Sequence, residues 1–78
     1  MTSSATSRIR ATDVKVGRVH LDVSLSDGRL VRVPIAWYPR LAAATAEQRR
    51  HWRLIGRGVG VRWDELDEDL SVEGILRV

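Results

Sequence analysis

The chain has 78 residues, a formal net charge of +3 and no cysteine. A chain of this length forms one small domain with a thin stability margin, and the lack of cysteine excludes disulfides and thiolate metal sites. No apolar run reaches the roughly 18 residues that a membrane span needs, and the N-terminus lacks the apolar segment of a secretory signal. We therefore expect no membrane association and a cytoplasmic location.

The charge is distributed unevenly along the chain. Residues 1–62 contain 12 of the 13 basic residues but only 4 of the 10 acidic ones, whereas residues 63–78 contain 6 acids and one arginine. A chain polarised in this way can pair its own two parts, or it can offer oppositely charged surfaces to partners.

The domain is predicted to begin after a short tail. Residues 1–7 are small and polar, which predicts a disordered segment, and residues 8–78 are predicted to form a single compact α+β domain. Alternation then predicts a three-stranded antiparallel meander, with hairpin turns at Gly17-Arg18 and Asp27-Gly28. Pro34 indicates an edge strand or a strand end. The apolar face is predicted to comprise Val14, Val16, Val19, Leu21, Val23, Leu25, Val31, Val33 and Ile35.

One main helix is predicted to cover this sheet. Thr45 and Gln48 have the spacing of a capping box, and the helix is predicted to run through Arg49 to Ile55. It is predicted to stop at Gly56, a residue suited to the left-handed position after a helix. Its apolar face is predicted to contain Leu41, Ala44, Trp52 and Ile55.

Two further elements complete the predicted fold. Val61-Arg62-Trp63 is interpreted as a short fourth strand with Val61 and Trp63 pointing inward. Asp69 or Ser71 is predicted to cap a final helical turn that ends at Leu76. The predicted fold class is α+β, a small antiparallel sheet (a three-stranded meander plus a short fourth strand) covered by one main helix, with a short C-terminal helical turn.

The glycine-rich stretch from Gly56 to Gly60 is predicted to be a structural turn. Loops that bind phosphate follow a strand and precede a helix, so that the helix amides face the phosphates. This stretch follows a predicted helix and precedes a predicted strand, which is the opposite order.

The acidic residues near the C-terminus are interpreted as a solvated loop that faces the arginines. Their spacing is not that of an EF-hand, and no nucleophile or partner histidine lies nearby in the sequence. We expect no metal, no cofactor and no catalytic residue, so a metal-dependent enzyme centred on this loop is the least favoured alternative. The acidic residues that remain candidates for a protein-facing surface are Asp64, Glu65, Asp67 and Glu68.

The arginines of the predicted helix are interpreted as a solvated or internally paired face. Contact with the phosphates of a nucleic acid is the alternative, but the tryptophans between them have core-like spacing, which favours packing over base stacking. His20 and His51 are interpreted as surface residues. The arginines concerned are Arg49, Arg50, Arg53 and Arg57.

Much of the chain resembles a known family. The string that carries the resemblance runs from Ser26-Asp27-Gly28-Arg29 through Trp37-Tyr38-Pro39-Arg40-Leu41 to the ending LDEDLSVEGIL at Leu66–Leu76. It is similar to the small prokaryotic family called domain of unknown function 2442. The resemblance implies a compact α+β fold and no agreed catalytic residues. Members are often encoded beside a small protein of another uncharacterised family, domain of unknown function 4160, which implies a toxin–antitoxin pair with this chain as the antitoxin.

The leading hypothesis is therefore a non-catalytic protein-binding module. Its more specific form is an antitoxin whose partner is the small protein encoded next to it. The alternative from another class is a nucleic-acid-binding protein that uses the arginine-rich helix. Self-association through a sheet edge is a further expectation. The candidate surface adds the aromatic connector Trp37 and Tyr38 to the arginines and acids named above.

Overall fold

The computed structural model describes residues 9–77, so the predicted disordered tail at residues 1–7 lies outside the described part of the chain. Its strands are β1 Ala11–Val16, β2 His20–Leu25, β3 Leu30–Pro34, β4 Arg53–Ile55, β5 Gly60–Trp63 and β6 Glu68–Ser71. Its helices are α1 Pro39–Ala42, α2 Ala46–Arg50 and α3 Val72–Leu76. Short 3₁₀ turns connect several of these elements, at Ile35–Trp37, Gly56–Gly58 and Asp64–Leu66.

The predicted fold class, one small sheet covered by one main helix, is wrong. Within residues 9–77 the strands form two three-stranded antiparallel sheets, in the orders β1-β2-β3 and β4-β5-β6. The three helices are short, at 4, 5 and 5 residues, and none of them spans a sheet. The second sheet supplies the cover that the prediction assigned to a helix.

The first sheet is the predicted meander. Leu21, Val23 and Leu25 of β2 are buried, because every second side chain of a strand points to the same face. The β1–β2 pairing shifts register between Ala11 and Asp13. β3 is an edge strand that ends at Pro34, as the missing amide of proline favours.

The predicted main helix is interrupted after one turn. Its N-terminus is confirmed, since the Thr45 hydroxyl accepts from the Gln48 amide and the Gln48 side chain accepts from the Thr45 amide. In a longer helix the carbonyl of Arg49 would accept from the amide of Arg53. It accepts instead from the indole N–H of Trp63, at 2.8 Å, and the chain then continues into β4.

The second sheet is built around β5. The predicted fourth strand exists as β5, with Val61 and Trp63 buried, but it pairs with β4 and β6 rather than extending the meander. Part of the predicted acidic loop is therefore a strand, β6. Of the two caps considered for the final turn, Ser71 is the one used: its hydroxyl accepts from the amide of Gly74 at 2.9 Å.

One hydrophobic core joins the two sheets. The largest fully buried side chains are Trp63 and Val61 of β5, Leu21 and Val23 of β2, Val33 of β3 and Leu41 of α1. The glycine-rich turn brings Gly58 against the backbone of Ala11 at the start of β1. The sheets thus meet through apolar side chains and at one close backbone approach.

Candidate functional site

The acidic candidates occupy a 3₁₀ turn and the strand that follows it. Asp64 and Glu65 lie in the turn Asp64–Leu66, and Asp67 has a left-handed backbone, with φ of 50°, which redirects the chain. Glu68 lies in β6 opposite Trp63. Leu66 is half-buried against the core and anchors this acidic segment.

Arg62 of β5 is the centre of an arginine–aspartate network on this surface. Its guanidinium donates to Asp64 at 3.0 Å, to Asp67 at 2.8 Å and to Asp69 at 3.1 Å. Arg62 and Asp69 are direct cross-strand partners in the β5–β6 pairing. We use the name arginine–aspartate network for Arg40, Arg53, Arg62, Asp64, Asp67 and Asp69.

Arg53 of β4 and Arg40 of α1 complete the network. Arg53 lies opposite Arg62 in the β4–β5 register, an unfavourable pairing of like charges. Asp64 lies between them and accepts from both guanidinium groups, from Arg53 at 2.5 Å. Arg40 donates to the backbone carbonyl of Asp67. In this arrangement the acidic segment faces arginines, as the sequence had indicated.

These contacts shift the ionisation of the carboxyl groups. The hydrogen bond from Arg53 lowers the pKa of Asp64, and the hydrogen bond from Arg62 lowers the pKa of Asp67. Both contacts favour the charged form of the carboxylate. Glu65 pairs with His51, with 3.6 Å between Nδ1 and the carboxylate.

Replacement of Arg62 by methionine is expected to weaken the acid dependence of stability. The pKa of Asp67 is lowered in the fold, so its ion pair stabilises the protein above the unfolded pKa of about 4 and is lost as the pH falls through the folded-state value. Unfolding midpoints measured from pH 7 down to pH 2 should fall less in Arg62→Met than in the wild type. Arg77→Met, which removes a single pair with Glu73, should keep the wild-type profile. An unchanged profile in Arg62→Met would contradict this assignment.

The four arginines assigned to one helix do not share an element. Arg49 and Arg50 end α2, Arg53 lies in β4, and Arg57 lies in the glycine-rich turn with φ of 61°. The Arg49 guanidinium donates to the carbonyls of Leu41 and Ala42, at 2.9 and 2.8 Å, and so completes the C-terminus of α1. The arginine-rich helical face is therefore not formed, because the helix ends before two of its members.

The aromatic connector presents one ring to solvent and buries much of the other. Trp37 is 52% exposed, at the end of the turn Ile35–Trp37. Tyr38 is half-buried against the core, and this burial raises the pKa of its hydroxyl. The two neighbouring rings therefore have different roles: Tyr38 packs and Trp37 remains available.

A basic surface around the β1–β2 turn joins two of the predicted arginines, Arg49 and Arg50, to residues that were not among the predicted site residues. Three adjoining shallow depressions share Arg18 in their lining. Val19 beside it is 64% exposed. We define the turn surface by the lining residues Lys15, Arg18, Val19, Ala36, Arg49 and Arg50.

The sequence holds a weak signal for this surface. Arg18 lies in a predicted turn and Lys15 lies just before it, where side chains are exposed, but the contribution of Arg49 and Arg50 depends on how α2 packs beside that turn. The network members Arg40, Arg62 and Asp69 were missed for the same reason. Their grouping depends on strand register, which pairs residues that are distant along the chain.

The described residues give no sign of a metal centre. Over residues 9–77, no three histidine or carboxylate side chains converge in a way that would hold a metal ion. The carboxylates of the acidic segment are instead held apart by guanidinium groups. In the same range no helix is long and apolar enough to cross a membrane.

Comparison with known proteins places this chain among uncharacterised relatives. A family model described as a protein of unknown function (DUF2442) matches residues 11–78, and no curated protein matches the chain. The crystal structure of a protein of unknown function from Rhodospirillum rubrum is similar, with a TM-score of 0.79 and 28% identity over 90% of this chain and 87% of that chain.

The solution structure of an uncharacterized protein from Chromobacterium violaceum is also similar in fold. Its TM-score is 0.75 at 24% identity, over 87% of this chain and 64% of that chain. The match thus spans less than two thirds of that relative, and at this identity the likeness shows the fold alone.

Proposed function

Since the chain belongs to the DUF2442 family of proteins of unknown function, we propose a function from its own surface: a non-catalytic module that binds another protein through Trp37. The observation that carries the proposal is the exposure of this ring. Tryptophan is enriched among the residues that dominate binding energy at protein interfaces, and at 52% exposure much of the Trp37 side chain remains open to a partner.

The backbone around Trp37 is fixed on both sides. Ile35 is buried, and its amide donates to the carbonyl of Val19 at 2.8 Å. The amide of Tyr38 donates to the carbonyl of Ile35 at 2.9 Å, and buried Leu41 follows in α1. A ring held by such a frame loses little conformational entropy on binding, which favours affinity.

The finer form of the proposal is an antitoxin that binds the small protein encoded beside it. The support for this form is the gene neighbourhood that family membership implies, together with a surface suited to a protein. The same neighbour is the first partner to test, and a second copy of the chain, paired through the β3 edge, is the partner to test next.

Trp37→Ala is expected to weaken capture of the neighbouring gene product by at least about 30-fold, the effect of losing an interface residue that contributes 2 kcal/mol or more. The measurement is titration calorimetry with the two purified proteins, after co-expression has shown that they co-purify. Leu30→Ala is the matched control, because Leu30 is also a large apolar residue and is 58% exposed, at the far end of β3.

Two results would contradict the proposal. One is equal affinity of the wild type and Trp37→Ala for the captured protein. The other is the absence of any co-purification with the neighbour or with another protein from the source cell. Unfolding midpoints of both variants should stay near the wild-type value, which separates a loss of binding from a loss of folding.

A further inference from the structure

We propose that the turn surface binds an acidic segment of the partner protein, one that carries an apolar side chain between its carboxylates. This inference rests on the proposed protein-binding function and adds the chemistry of the partner. It is drawn from the uncompensated charge of Lys15, Arg18 and Arg50, from their position around exposed Val19, and from the way the rest of the chain pairs its charges.

The charge of the turn surface is not neutralised from within the described chain. Over residues 9–77, the side chains of Lys15, Arg18 and Arg50 make no ion pair. Arg49 donates to two backbone carbonyls, which carry no formal charge, so its positive charge also persists. Four cations thus surround one turn.

Asp22 is the one carboxylate among the residues that line the depressions, it lines one of the three, and it is already engaged. Asp22 accepts two hydrogen bonds from Arg32, at 2.9 and 3.2 Å, and this contact lowers its pKa. Asp22 and Arg32 also face each other directly in the β2–β3 register. Asp22 also lies opposite Lys15 in the β1–β2 register and offsets part of the charge of Lys15, whereas Arg18 and Arg50 have no carboxylate within 4.0 Å in residues 9–77.

Elsewhere the chain matches its charges closely. Each basic residue of the arginine–aspartate network has a carboxylate within 4.0 Å, and so do Arg29 and Arg77. Arg57 is also without an ion pair in residues 9–77, but it lies in another turn, whereas the turn surface groups several such cations around one turn. A local charge of one sign favours a partner segment of the opposite sign and steers its approach.

The apolar residues of the turn surface favour a peptide over a nucleic acid. Val19 projects among the cations, and Ala36 and Ala42 line the depression beside it. The lining residues of the three depressions include no tryptophan, tyrosine or phenylalanine, and the imidazole of His20 is the one ring among them, so single-stranded bases have little stacking platform there. An acidic segment with a leucine-like side chain satisfies both the charge and the apolar contact.

The backbone of this surface is well supported. The amide of Gly17 donates to the carbonyl of His20 at 2.8 Å. The carbonyl of Val19 accepts from the amide of Ile35, which begins the turn that carries Trp37. Ala36, which lines the depression, directly precedes Trp37 in the chain. A partner segment on the turn surface is thus placed to continue towards that tryptophan.

Binding of a labelled peptide tests the inference. The probe is a fluorescent peptide of about twelve residues that alternates glutamate with leucine, compared with its glutamine–leucine counterpart and with an oligothymidylate of about the same length. We expect the acidic peptide to bind wild-type protein at least about tenfold more tightly than either comparison probe. Arg18→Glu should weaken that binding at least about tenfold.

Arg57→Glu is the matched control. Arg57 is also an exposed arginine with no ion pair in residues 9–77, but it lies in the turn between β4 and β5. This variant should bind the acidic peptide as the wild type does. Equal losses in Arg18→Glu and Arg57→Glu would show a nonspecific charge effect and would overturn the inference.

Other outcomes also decide the question. Tighter binding of the oligothymidylate than of the acidic peptide would assign the surface to nucleic acid. Equal binding of the acidic and neutral peptides, or no binding of either, would show that the surface does not recognise an acidic segment. Binding of the neighbouring gene product separates the two proposals. If Trp37→Ala weakens this binding and Arg18→Glu does not, the protein-binding function stands and the acidic segment is rejected. Insensitivity to Trp37→Ala rejects the function through Trp37 itself.

Discussion

Trp63→Ala is expected to leave the protein mostly unfolded at 25 °C. Trp63 is fully buried and is the largest of the fully buried side chains. Truncation of a buried tryptophan to alanine costs about 3–5 kcal/mol. A domain of this size has a total stability of roughly 4–12 kcal/mol, at about 0.05–0.15 kcal/mol per residue, and small domains tend towards the lower end.

Trp63 also carries a hydrogen bond that determines where α2 ends. Its indole N–H donates to the carbonyl of Arg49 at 2.8 Å. Trp63→Phe keeps an aromatic ring in the core but removes this donor, leaving a part-buried carbonyl without its partner. We expect this variant to fold with a stability lower by about 1–3 kcal/mol from the lost hydrogen bond, with a further loss from the smaller ring.

Urea unfolding followed by circular dichroism measures both variants. Trp37→Ala is the matched control, since it removes the same side chain from an exposed position and should shift the midpoint much less. A Trp63→Ala protein with a cooperative transition near the wild-type midpoint would show that the two sheets do not depend on this residue.

The sequence predicts the parts of the fold that depend on local patterns. The alternation of Leu21, Val23 and Leu25 identifies a strand with one buried face, because that face is set by a two-residue period. The capping box at Thr45 and Gln48 follows from the same local basis, and so does the cap of the final turn, for which the sequence offered Asp69 or Ser71 and the structure uses Ser71. Each of these features leaves a pattern in residues that are close in the chain.

The errors arise where a distant residue competes with local preference. Nothing near Arg49 indicates that its carbonyl is taken by an indole fourteen positions away. β4 has only three residues, Arg53–Ile55, and becomes a strand because it pairs with β5. Helix propensity is a weak preference that tertiary contacts override, and here the second sheet replaces the expected helix.

In the candidate site, too, the sequence predicts what depends on local pattern and misses what depends on contacts between distant residues. The charge asymmetry of the sequence indicated that acids would face arginines, but it did not identify Arg62 as the residue that joins three aspartates. This role follows from the β5–β6 register, in which Asp69 lies opposite Arg62. The turn surface likewise depends on α2 lying beside the β1–β2 turn, an arrangement that only the tertiary structure gives.

Gly58→Ala is the second substitution expected to have a large effect. Gly58 is buried at the place where the glycine-rich turn approaches β1. A methyl group there would lie 2.5 Å from the carbonyl oxygen of Ala11 and 3.1 Å from the Cβ of Arg10. The oxygen belongs to the backbone of the first sheet, so relief of the clash requires the two sheets to separate locally.

Gly28→Ala is the control that isolates this clash. Gly28 has φ of 94° and Gly58 has φ of 96°, so alanine pays nearly the same backbone cost at both positions, about 1–3 kcal/mol. A methyl group at Gly28 meets no atom within 4 Å. The difference between the two variants therefore measures the contact between the sheets, which we expect to add about 1–3 kcal/mol, the usual cost of overpacking.

The two variants are compared by urea unfolding against the wild type. Gly28→Ala should retain a cooperative transition at a moderately lower midpoint, whereas Gly58→Ala should lose most of its stability. Equal midpoints would mean that the approach of Gly58 to Ala11 does not hold the sheets together. In that case the hydrophobic core around Trp63 would be the main connection between the two sheets.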